Sequence, residues 1–202
     1  MNPKQRTIKS EVSFSGVGLH TGANVTLTFK PAPENHGYKF QRIDLPGQPI
    51  IEADVDNVTD TARSTTISQN GASVSTTEHV LAALVGCEVD NVLIELNGIE
   101  VPILDGSAIE FVKGIESAGY KEQNAEREYY YIPHNISYSE EDRNVEMMAM
   151  PYQDDYRFTC MVDYNSPVLG SQHATITSIG DFKTEIASCR TFVFLHELEM
   201  LL

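Results

Sequence analysis

Glu78 and His79 stand side by side ahead of the apolar run Val80-Leu-Ala-Ala-Leu84. A carboxylate can take a proton from water and an imidazole can ligate a metal, so the pair suits a hydrolytic site. The same glutamate also closes Ser75-Thr76-Thr77-Glu78, the spacing of a capping box, in which it would only reach back to the N-cap amide. Spacing alone favours the cap, because such boxes are far commoner than active sites. One histidine is moreover an incomplete metal site. Catalytic zinc usually takes three protein ligands, and neither His-Glu-x-x-His nor His-x-x-x-Asp occurs in the chain.

The remaining candidates are weaker when taken singly. His20, His36, His134, His173 and His196 are isolated in sequence. Ser15-Gly-Val-Gly-Leu-His-Thr-Gly22 is glycine-rich, but it joins two strand patterns and lacks the strand-to-helix plan of a phosphate loop. It reads as a turn. Asp105-Gly-Ser-Ala108 reads as a turn feeding a helix, with Ser107 and Glu110 forming a second capping box. In Cys189-Arg-Thr-Phe-Val-Phe194 the two rings, Phe192 and Phe194, would share one strand face, a pattern that more often marks core than a ligand contact. Cys87, Cys160 and Cys189 are far apart and make no Cys-x-x-Cys pair, so they read as buried thiols.

The elements that must carry these residues follow from periodicity. Alternation predicts strands over 7–14, 24–30 and 38–42, forming a largely antiparallel sheet. Helices are predicted over Thr76 to Val85 and Ala108 to Ala118. The first has Val80, Leu81 and Leu84 on its inner face, the second Ala108, Phe111, Val112 and Ile115, and Gly86 and Gly119 stand at left-handed C-terminal caps. Between the helices, 90–96 and 99–103 read as a hairpin turned by Asn97-Gly98, with Pro102 marking an edge. Residues 121–128 are the most charged stretch and have no apolar period, which predicts a linker. Strands then resume over 145–150, 156–162 and 174–179, followed by a short helical pattern over 181–187. The fold class is α+β, with a first module over 1–120, the linker, and a second module over 129–202.

Composition bounds the function. Of 202 residues, 29 are acidic and 14 basic, a net charge of −15 that excludes a broad nucleic-acid surface. With 41% hydrophobic and only 21% charged residues, wholesale disorder is excluded as well. No run reaches the ~20 apolar residues of a membrane span, and the N-terminus lacks the apolar core of a signal peptide, so a cytoplasmic protein is expected. The final residues, 196–202, are apolar-periodic and stop without a cap.

Five segments in order and spacing make the chain resemble the UDP-3-O-acyl-N-acetylglucosamine deacetylases of lipid A synthesis. They are Gln5-Arg6-Thr7 leading to Ser15–Gly22, Thr77-Glu-His-Val-Leu-Ala-Ala-Leu84, Asp90–Glu95, Val101-Pro-Ile-Leu-Asp-Gly-Ser-Ala108 and Arg190-Thr-Phe-Val-Phe194. The resemblance implies two modules, each an antiparallel sheet layered against two helices, with this chain ending inside the second. It implies zinc as cofactor and a UDP-linked acylated glucosamine as substrate. His79 would be a zinc ligand and Glu78 the base that deprotonates the attacking water, while the metal acidifies that water and polarises the carbonyl. Thr191 would hydrogen-bond the oxyanion, Phe192 and Phe194 would line the sugar and acyl site, and Leu19 would stand at the mouth of the acyl passage. The family's other two zinc ligands, on a His-x-x-x-Asp helix, would follow Leu202, so the chain is expected to be inactive alone.

Overall fold

The structure, a computed structural model, describes residues 3–153 and 156–195. The described residues up to Arg127, together with those from Phe182 on, make one compact unit, and Glu128–Asp181 makes a second.

The first unit is built on five strands. In chain order its elements are β1 (Lys4–Ile8), β2 (Val12–Val17), β3 (Asn24–Pro31), β4 (Tyr38–Arg42), β5 (Ile50–Glu52), β6 (Val58–Asp60), β7 (Thr66–Gln69), β8 (Ala72–Val74), helix α1 (Glu78–Gly86), β9 (Val92–Leu96), helix α2 (Ile109–Ala118) and β10 (Tyr120–Glu126). The central sheet has the order β2-β3-β9-β4-β5, β6-β7-β8 form a second sheet, and β1 pairs with β10. Alternation does what the sequence implies: Val25, Leu27 and Phe29 of β3 and Val92, Ile94 and Leu96 of β9 are buried, while Thr26, Thr28 and Lys30 are not. On the covered face, α2 lays Phe111, Val112 and Ile115 against the sheet, and the Phe111 ring meets Phe14 at 5.0 Å between centroids. A Cβ on Gly114 would overlap the Phe14 ring, so the glycine lets α2 approach β2.

Several sequence expectations change. The stretch 7–14 is two strands in different sheets, because the chain breaks at Lys9, whose amide donates to Gly119 O at 2.8 Å. Both pieces keep the same alternation, which hides the break. The sheet is mixed, since β4 runs parallel to β9. The Asn97-Gly98 hairpin does not form. Both edges of β9 are already taken, by β3 and β4, and the Asn97 side chain instead accepts the Thr26 amide at 2.7 Å. Residues 99–103 leave to bridge Ser75, and the Ile103 amide donates to Val17 O at 3.0 Å.

Residues 121–128 are not a linker over most of their length. β10 is a strand whose backbone ladder to β1 replaces apolar burial, and its Gln123 joins a polar network with Asn91 and the Ala32 carbonyl. That explains a charged stretch without apolar period. At the helix ends, Gly119 does adopt positive φ (72°) as expected, but Gly86 is the last residue of α1 and does not. Its role is packing, because a Cβ there would overlap the Phe182 ring.

The second unit holds two hairpins, β11 (Ile136–Glu140) with β12 (Val145–Ala149) and β13 (Phe158–Asp163) with β14 (Ser171–Ile176). No α-helix lies between Glu128 and Asp181 among the described residues. The helical pattern over 181–187 becomes one π turn, Phe182–Ile186, which packs with the first unit rather than the second. The boundary expected at 129–202 is corrected accordingly. Cys87 is buried, and burial pushes its thiol up, whereas Cys160 and Cys189 are exposed, against expectation. Cys160 sits in a hairpin strand with both faces in solvent, and Cys189 follows the π turn. No helix among the described residues is long and apolar enough to cross a membrane.

Candidate active site

Glu78 is the first residue of α1, not its third, so the capping box cannot close. The Ser75 hydroxyl donates to Ile99 O at 3.4 Å, and Glu78 Oε2 accepts the Thr65 amide at 3.0 Å. Thr77, fully buried, completes the clasp: its hydroxyl and amide both donate to Thr65 O, at 3.1 and 3.3 Å. The residues before β7 therefore fix the start of α1 and steer the Glu78 carboxylate sideways, away from Ser75. Among the described residues this is its one hydrogen bond, which leaves Oε1 available. His79 follows, half-buried, its imidazole without a hydrogen-bond partner among the described residues.

The turn into this helix is strained. Thr76 has φ of +59°, a left-handed conformation that a β-branched residue rarely adopts. It is held by Glu100, whose side chain is buried and accepts the Thr76 hydroxyl at 3.1 Å. The same carboxylate accepts the amides of His20 and Thr21 at 3.0 and 2.9 Å and the Thr21 hydroxyl at 2.8 Å. It thereby ties the Ser15–Gly22 turn, with exposed Leu19, to the start of α1. Burial works against the Glu100 charge, but the four donors outweigh it and hold the carboxyl below the usual glutamate range.

A second pair of segments also meets. Asp105 Oδ1 accepts the Ser107 hydroxyl at 2.8 Å and its amide at 3.1 Å, which lowers the Asp105 carboxyl, and Arg190 Nε lies 3.8 Å from Oδ2. The Thr191 amide donates to Gly106 O at 2.9 Å. The second capping box does not form: Ala108 is the N-cap of α2 without a side-chain bond, Ser107 Oγ accepts the Ile109 amide at 3.2 Å, and Glu110 pairs with Lys113 instead of reaching back. Phe192 and Phe194 do not share a strand face, because 191–194 form no strand; their rings meet edge to face at 5.5 Å. Thr191 and Phe192 are exposed. Residues 196–202, with His196, lie outside the described residues.

Thus Leu19 joins Glu78 and His79 through Glu100 and Thr76, and Thr191 joins the Asp105–Ser107 turn. No group of three histidine, cysteine, aspartate or glutamate side chains able to hold a metal is found among the described residues. Spacing gives no role to Thr65 or Glu100 and places Thr76 at the start of the helix, whereas Thr76 is a left-handed residue ahead of α1. A charged residue between apolar Ile99 and Val101 was the available signal for Glu100.

A model of the UDP-3-O-acyl N-acetylglycosamine deacetylase family matches residues 5–202. The chain belongs to this family. It is similar to the bifunctional enzyme LpxC/FabZ of Bacteroides thetaiotaomicron, at 48% identity over 98% of the chain and 43% of that protein. It is also similar to the UDP-3-O-acyl-N-acetylglucosamine deacetylases of Geotalea uraniireducens and Myxococcus xanthus. Both are 41% identical over 98% of the chain, which spans 64% and 62% of their lengths. The chain thus spans less than two thirds of each of these family members. The five matching segments fall in the first unit, and the structure ties the Ser15–Gly22 turn to Glu78-His79 and the Arg190–Phe194 segment to the Asp105 turn.

Proposed function

We propose that the protein acts as a zinc-dependent deacetylase that removes the N-acetyl group of a UDP-linked, 3-O-acylated glucosamine in lipid A synthesis. The observation that carries the reading is the set of the Glu78 carboxylate: the capping bond that would occupy it is not made, and one oxygen is left without a hydrogen bond among the described residues, next in sequence to His79.

His79 offers an imidazole, a standard zinc donor, on the first turn of a helix. It would fill one position of the three that a catalytic zinc needs, and the described residues offer no complete shell. The steps assigned to this chain therefore run through its own side chains. Glu78 takes the proton of the attacking water, anchored by Thr65 through Oε2 while Oε1 makes no hydrogen bond among the described residues. The Thr191 hydroxyl donates to the oxyanion of the tetrahedral intermediate, a donor typically worth ~3 kcal/mol, with its backbone fixed on Gly106. Phe192 and Phe194 offer apolar edges to the sugar and acyl groups, and Leu19 lies at the acyl entrance. We place the reaction in the cytoplasm.

The test is substitution in the whole gene product. Glu78→Ala is expected to lower kcat by ~10²–10⁴-fold, and His79→Ala to abolish turnover and lower the bound zinc, both with far-UV circular dichroism unchanged. Full turnover by either variant would defeat the reading.

A further inference from the structure

Glu100 is a carboxylate buried to 2% exposure with no cationic partner among its hydrogen bonds. A buried charge is expensive unless fully bonded, and here the bonding is supplied by one loop and one strained turn. The amides of His20 and Thr21 point together at its two oxygens, a small anion-binding concavity of backbone donors. The loop closes on itself around it, with the Gly22 amide donating to Gly18 O and the Gly18 amide to Ala23 O, both at 3.0 Å. Gly18 is part of the same device. A Cβ there would overlap Glu100 Oε2 and Thr21 Oγ1, so the carboxylate occupies the space a side chain would need.

The start of α1 has a separate support. Thr77 and Glu78 are held by Thr65 through bonds that do not involve Glu100. The loop of Leu19, by contrast, has its His20 and Thr21 amides and the Thr21 hydroxyl committed to this one carboxylate. Loss of the carboxylate therefore frees the His20 and Thr21 donors of the loop, and the Thr76 hydroxyl with them, while the bonds of Thr65 to Thr77 and Glu78 remain.

We infer that Glu100 is a positioning residue that latches the Gly18–Gly22 loop, and with it Leu19, in the place from which it contacts the acylated substrate. The role rests on the deacetylase reading above, whereas the latch itself does not. Its kinetic signature follows from chemistry: a contact made equally in ground state and transition state changes KM and leaves kcat alone.

The experiment uses the whole gene product with two single variants and their combination. Glu100→Gln keeps the size but turns the NH2 of a carboxamide, itself a donor, toward donors. Gly18→Ala leaves the glutamate in the chain and displaces its carboxylate. Each is expected to raise KM for UDP-3-O-acyl-N-acetylglucosamine about tenfold or more, with kcat within about threefold. The double variant is expected to be no worse than the worse single one, since both remove the same latch. In parallel, amide hydrogen exchange at His20 and Thr21 is expected to speed up about tenfold or more in each variant, with the β3 and β9 amides unchanged as the check on folding. Unchanged exchange at His20 and Thr21 would overturn the latch. Faster exchange with unchanged KM, or a fall in kcat alone, would overturn the positioning role. A wild-type protein without turnover would defeat the deacetylase reading and the positioning role together, while the exchange result still decides the latch.

Discussion

Arg42 is a buried cation whose side chain is 7% exposed, and each of its three guanidinium nitrogens donates a hydrogen bond. Nε and Nη2 reach the two Asp44 oxygens at 2.8 and 2.7 Å, and Nη1 donates to Ser73 O at 2.7 Å. The fork joins the end of β4 to β8 of the neighbouring sheet. The hydrogen bonds from Arg42 hold the Asp44 carboxyl below the usual carboxylate range. A carboxyl with a depressed folded pKa contributes stability that is complete above its unfolded value, near ~4, and is lost as pH falls through the lower folded value. Removing one partner leaves the other charge buried and unpaired. Asp44→Ala is thus expected to cost about 1–2 kcal/mol in denaturant unfolding at pH 7, because Asp44 is partly solvated and Arg42 keeps its bond to Ser73, a penalty that narrows below pH ~4 as the wild-type carboxylate is protonated. A cost that stayed constant down to pH 2 would show that the charge of Asp44 is not what matters. None of this was legible from Arg42-Ile-Asp44 in the sequence, because the burial of the arginine depends on β8 arriving from thirty residues away.

Both helices were legible as elements, since an apolar stripe of period 3.6 is a local property. Their ends were less so. Gly86 has the residue type and place of a C-terminal cap, yet its backbone is helical and it is glycine for contact with Phe182. The two explanations predict opposite signs. In an exposed helix, glycine to alanine stabilises by ~1 kcal/mol; at this contact, overpacking makes Gly86→Ala destabilising by about 1–3 kcal/mol. Thermal or urea unfolding measures it. Phe182→Ala in the same background is expected to recover part of the loss, and a stabilising Gly86→Ala would mean the π turn does not pack on α1 in solution. The candidate site shows the same division. Glu78-His79 stood out by type, but whether Glu78 caps Ser75 or bonds elsewhere turned on Thr65, thirteen residues back, which no spacing rule connects to it.

Across the whole molecule, apolar burial is concentrated in the first unit. Among the described residues between Glu128 and Asp181, Ile176 alone is buried, although the hairpins carry exposed Met147, Met148, Met161 and Phe158. Few buried contacts under a backbone ladder mean low local stability. Amides of β11 to β14 are therefore expected to exchange at least ~10²-fold faster than those of β3 and β9 under native conditions, read by mass spectrometry. Equal protection would contradict this distribution of the core. The sequence by itself determined the two α-helices, the strands β3, β4 and β9, which of their faces turn inward, the net acidic charge and the Glu78-His79 pair, all of which depend on residue type and on neighbours within a few positions. Only the tertiary structure decided that β9 lies between an antiparallel and a parallel partner, that the charged 120–126 stretch is a strand, and that Glu100 latches the Leu19 loop to the turn before α1. A period-2 pattern is the same whichever strand it meets, and a buried charge is specified by donors that sequence distance hides.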